Sequence, residues 1–121
     1  MPTLDQHLKQ AIRNEQFVGS LCAGQPEHYA WAVTALFYSA VQYGRALLAV
    51  KEVLITSHQQ FAMHFVRIMA DPGLYGHYRR LKDESERGRY DCATYTLREI
   101  EHLKEQHFIP FRDAVRRALP A

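Results

Sequence analysis

Only 2 cysteines occur in 121 residues. Cys22 and Cys92 lie far apart and in no CxxC spacing, which excludes a disulfide framework, a zinc ribbon and a thioredoxin-type redox pair. An excess of one charge is missing too. Against 13 acidic residues stand 15 basic ones, for a net charge of +2. Bulk charge therefore does not point to nucleic acid, and any basic site must come from clustering. The opening MPTLDQHLKQ is polar and lacks the apolar core of a signal peptide, so two free thiols in a reducing cytoplasm are expected. Glycine (6) and proline (5) are sparse and fall between apolar-periodic segments, and no run alternates polar and apolar residues as a strand would. No glycine-rich phosphate loop and no serine or cysteine nucleophile motif is present. The most apolar stretch, Tyr29 to Val50, is broken by Thr34, Ser39, Gln42 and Arg45 and is rich in alanine and tyrosine rather than leucine, which argues against a membrane span.

What remains is helical periodicity from end to end. The expected architecture is one all-α domain over residues 1–121, an antiparallel up-and-down bundle of four to five helices with short loops. Thr3 caps a first helix with Leu4, Leu8, Ala11 and Ile12 on one face, and GSLCAGQP ends it. Pro26 opens a second helix, EHYAWAVTALFYSAVQYGRALLAVKEV, apolar on most sides and so the central one. Gln42, Arg45 and Glu52 mark a narrow wet stripe on it. Ser57 caps a third helix with Phe61, Phe65, Ile68 and Met69 buried, and DPG ends that helix in a turn. On the fourth, Leu74, Tyr78, Leu81, Ser85 and Gly88 share one face, large at one end and small at the other. Asp91 is the expected cap of a fifth helix through Leu97, Ile100 and Leu103, kinked or restarted at Pro110.

Two groups of residues carry chemistry. In YRRLKDESERGRYDC, the candidates for holding phosphates are Arg79, Arg80, Arg87 and Arg89, with Tyr90 to stack on a base. The interleaved Asp83, Glu84 and Glu86 would instead pair with them, Arg79 with Asp83 and Arg87 with Asp83 or Glu84. Arg89 and Tyr90 stand at a helix-to-helix corner, where the structural alternative is a packed Tyr90 and an Arg89 that caps carbonyls. The second group is REIEH, with Arg98 and His102 one helical turn apart. An Arg can hold a scissile phosphate while a His moves protons during attack by a 2′-hydroxyl. The alternative is a solvated face laced with ion pairs. Glu99 and His102 have the Glu-x-x-His spacing of di-iron bundles, but no second such pair exists. His102 and His107 are five apart, off phase for one helix face. The 7 histidines therefore read as scattered surface residues, with no metal site and no cofactor.

The string YAWAVTALFYSAVQYGRALL followed by YRRLKDESERGRYDC resembles the HEPN superfamily (higher eukaryotes and prokaryotes nucleotide-binding), in its small bacterial members. Trp31, Ala32, Phe37, Tyr38 and Ala46 to Leu48 match its aromatic and small-residue helix. Tyr78, Leu81, Ser85 and Arg89–Tyr90 match its later Tyr-x-x-Leu, Ser and Arg–Tyr positions, and SHQQF resembles the opening of the helix between them. The likeness spans roughly Pro26 to Leu103. It implies an up-and-down bundle and a homodimer. It also implies a cytoplasmic role beside a nucleotidyltransferase or another defence or toxin–antitoxin component, with RNA or a nucleotide as ligand. Many members are metal-independent ribonucleases whose Arg precedes a His by a set spacing. No arginine here meets that spacing; Arg98 and His102, with three residues between, come nearest. The expectation is thus a non-catalytic binding module, with a ribonuclease using Arg98 and His102 as the alternative.

Overall fold

Thr3 starts the first helix as the sequence predicts. Its hydroxyl accepts from the Gln6 N–H at 3.2 Å while the Gln6 side chain accepts from the Thr3 N–H at 2.8 Å, a reciprocal capping box. This is a computed structural model that describes residues 2–50 and 71–120 together with Met63, His64 and Arg67. The expected third helix with its Ser57 cap, and Glu52 of the wet stripe, lie outside the described residues. Helix α1 spans Leu4–Cys22, α2 Tyr29–Val50, α3 Pro72–Tyr90, α4 Leu97–Leu103 and α5 Ile109–Ala118. Among the described residues there is no strand, and no helix is long and apolar enough to cross a membrane.

Several boundaries differ from expectation, each for a local reason. GSLC does not break α1, which runs to Cys22; Gly19 has open space around it and is simply carried in the helix. Pro26 opens a single 3-10 turn, Pro26–His28, before α2 begins. DPG starts a helix rather than forming a turn. Asp71 accepts from the Gly73 N–H at 2.9 Å and Pro72 occupies the first turn, where a missing N–H costs nothing. Asp91 caps no helix start. It ends α3, and Cys92 at φ 57° turns the chain so that the Ala93 N–H returns to the Arg87 carbonyl at 3.2 Å. The cap of α4 is Thr96, again with a capping box, closed by Glu99. Pro110 restarts the chain as expected, in the first turn of α5. Between α4 and α5 the helix widens into a π segment, Lys104–Phe108.

α2 is the central helix, buried on nearly every side. Its partners run antiparallel to it. His7 meets Gln42 and Ala11 meets Ser39 across α1, while Ala30 meets Gly88 and Phe37 meets Tyr78 across α3. The Ser39 hydroxyl donates to the Ala11 carbonyl at 2.8 Å, a backbone approach that the small residues permit. The α3 face behaves as its spacing predicts: Tyr78, Leu81 and Ser85 are fully buried. A Cβ on Gly88 would lie 3.3 Å from the Tyr95 ring and 3.5 Å from the Ala30 methyl, so α2 and α3 close over it. On α1, Ile12 departs from the expected buried face and stays partly exposed.

A polar seam closes the bundle at α5. Glu15 accepts from the Tyr43 hydroxyl at 2.8 Å and from Arg112 at 2.9 Å, and Arg116 donates to the same Tyr43 hydroxyl at 2.9 Å. Burial, then the Glu15 carboxylate, push the Tyr43 phenol up to about 12. Tyr43 therefore stays a donor to Glu15 at any physiological pH, and α1, α2 and α5 are tied through one carboxylate.

Candidate anion-binding cleft

On α3, His77, Arg80 and Glu84 follow one another at steps of three and four and share a face. On α4, Arg98 and His102 do the same. The two helices run antiparallel, so these faces meet across a cleft of about 310 Å³ lined by Arg80, Glu84, Arg98, Glu99, His102 and Leu103. Leu103 and Leu81 behind it belong to the core, which holds the walls in place.

The charges of the cleft are unevenly matched. Glu84, nearly buried, is taken by Arg87 at 2.6 Å, and its backbone carbonyl accepts from the Tyr95 hydroxyl at 2.8 Å. Glu99 is taken by the Thr96 N–H at 3.0 Å. Among the described residues, neither Arg80 nor Arg98 has a hydrogen-bond or ion-pair partner. Both carboxylates are thus engaged while both guanidiniums are open, an arrangement that selects an anion.

Two histidines complete the site. The Nδ1 atoms of His77 and His107 lie 3.0 Å apart, a hydrogen bond in which one ring donates and the other accepts. His107 also stands edge-on to His102, ring centres 6.5 Å apart. In a regular α-helix, residues five apart diverge; the π segment adds a residue to the turn and brings them round. Burial lowers the His107 pKa below the ordinary histidine value, and His77, Arg80 and His102 add to the same effect while Glu84 opposes it. As pH falls through the ordinary value of 6.5, the unfolded chain takes its proton first and the folded one resists to lower pH, so stability falls. Urea melts between about pH 7.5 and about pH 5 should show this loss, and His107→Gln should make it shallower. An unchanged slope would mean that His107 is not held neutral.

The basic stretch of α3 is divided among three places. Arg80 faces the cleft. Arg79 points away and pairs with Asp83 at 3.9 Å, and Arg87 pairs with Glu84. Arg89 crosses to α2, donating to the Tyr38 hydroxyl and, at 3.5 Å, to Ser85; among the described residues it caps no carbonyl. Its guanidinium lies over the Tyr38 and Tyr90 rings, 5.4 and 5.2 Å from their centres. Tyr90 is 73% exposed and does not pack into the corner. The histidines are not all scattered, since His77, His102 and His107 gather here. The sequence reading missed His77 and His107 because α-helical phase separates His102 from His107. The step His77–Arg80–Glu84 was the signal that could have found the first. Among the described residues, no group of three His, Cys, Asp or Glu side chains could hold a metal ion.

No family model matches the chain, and no curated protein or solved structure matches it.

Proposed function

We propose that the chain is a HEPN-like helical module that binds RNA or a nucleotide through phosphate in the α3–α4 cleft. The supporting observation is that Arg80 and Arg98 are open while Glu84 and Glu99 are engaged. In this reading the module works in the cytoplasm as a homodimer, beside a nucleotidyltransferase or another protein of a defence or toxin–antitoxin system. Phe17, Trp31 and Tyr38 offer the surface for a second copy. They are 54%, 58% and 43% exposed and line one shallow cleft between α1 and α2. Equilibrium sedimentation should then give a dimer that Trp31→Ser weakens, and a monomeric parent would remove this part of the reading.

A second reading, a metal-independent ribonuclease, is favoured by one feature: His102 and Arg98 share the cleft, with His107 edge-on to His102. There Arg98 would hold the phosphate and His102 would shuttle the proton of the 2′-hydroxyl. Incubating the purified chain with total RNA in chelator separates the two. The binding module retards RNA and leaves it intact. Cleavage by the parent that His102→Ala abolishes would replace binding by catalysis, and neither retardation nor cleavage would sink both.

A further inference from the structure

A larger cleft, about 730 Å³, opens between the first half of α1 and the second half of α2, and none of its described lining residues belongs to α3 or α4. Among the described residues, no carboxylate lines it, and its cationic groups are Lys9, Arg13 and Arg45. Lys9 is neutralised at 3.0 Å by Asp5, and both side chains are largely exposed. Arg13 is steadied by a neutral partner: its Nη2 donates to the Gln10 side chain at 2.8 Å, while the Gln10 amide donates to Asn14. Arg45 is the most telling. Its Nε is buried and has no hydrogen-bond partner among the described residues. A buried donor of a charged group left unpaired is costly.

The neutral groups add donors. Buried His7 presents Nδ1 to the Gln42 carbonyl oxygen at 2.7 Å, and because that oxygen can only accept, Nδ1 carries the hydrogen. This contact fixes the Gln42 amide, and Gln42 itself lines the cleft. The site therefore offers two guanidiniums without carboxylate partners and an oriented amide donor. Such a set matches an oxyanion with several oxygens. One phosphate would fill only part of a cleft of this size; a chain of two or three phosphates would fill more of it.

We propose that this α1–α2 cleft is a binding site for a polyphosphate group, held by Arg13, Arg45 and the Gln42 amide. It shares no residue with the α3–α4 cleft, so either can stand without the other.

Isothermal titration of the full chain with inorganic tripolyphosphate at low ionic strength tests it. The parent should bind, and Arg45→Gln and Arg13→Gln should each weaken binding by about tenfold or more. Arg98→Gln, in the other cleft, should leave that affinity unchanged. Arg13 is exposed, so its variant reports binding even if Arg45→Gln disturbs folding. ATP and adenosine distinguish the source. ATP should bind at least as tightly as tripolyphosphate and adenosine should not bind, which would make phosphate the recognised group. No binding by the parent would overturn the proposal. So would binding lost in Arg98→Gln but kept in Arg45→Gln, or adenosine binding where tripolyphosphate does not.

Discussion

Tyr78→Ala should cost about 3–5 kcal/mol of folding free energy, the range for removing a large buried aromatic. Tyr78 is 1% exposed. Its ring lies 5.4 Å from Phe37 of α2 and 6.0 Å from Phe111 of α5, centre to centre, with Tyr75 stacked beside it at 6.0 Å. One side chain thus joins three helices. Its loss leaves a cavity that the surrounding rings cannot collapse into without leaving their other neighbours. Set against a typical total of about 5–15 kcal/mol, this is a large share of stability. Urea denaturation followed by helical circular dichroism measures it. Tyr78→Phe keeps the packed ring and should lose far less. A loss below about 1 kcal/mol for the alanine variant would contradict the central place of this ring.

The features legible in the sequence were those that depend on periodicity and on caps read in phase. The Thr3 cap, the burial of most of α2 and the Leu74–Gly88 face of α3 needed only steps of three and four. Gly88 shows how far this goes, because the narrowing of that face predicted a close helix contact and Tyr95 and Ala30 supply it. The end of α3 was misread for a physical reason. Asp91 has the chemistry of a cap, but Thr96 has a Glu three residues on, and the reciprocal box is the stronger signal. DPG likewise contains both a stop and a start, and Asp71 with Pro72 at the first turn decides for the start. The site was half legible. Arg98 and His102 were found from their spacing, and Arg80 was named for another reason, as one of a basic run. That α3 and α4 bring these three together is a tertiary fact. His107 was out of reach, since only the π segment brings it to His102, and no local rule marks Lys104–Phe108 as π rather than α.

Replacing both open guanidiniums, Arg80→Gln with Arg98→Gln, should weaken binding of a short single-stranded RNA by about 100-fold or more. Each charge-assisted contact is worth about 1.5–3 kcal/mol, and a glutamine keeps much of the length while removing the charge. The salt dependence supplies a second, independent reading. Each lost phosphate contact should reduce the slope of log affinity against log salt by about 0.7 for a single strand, so the double variant should differ from the parent by about 1.4. Arg79→Gln is the control. Arg79 carries the same charge one residue from Arg80 but points away from the cleft and pairs with Asp83, so its loss should change affinity little. If Arg79→Gln weakened binding as much as Arg80→Gln, RNA would be reading the total charge of α3 rather than a cleft. If the double variant bound as the parent does, the two arginines would be open for some other reason and the phosphate reading would fall. Only a large loss in affinity with the matching change in slope, at Arg80 and Arg98 and not at Arg79, fits a site built where α3 faces α4.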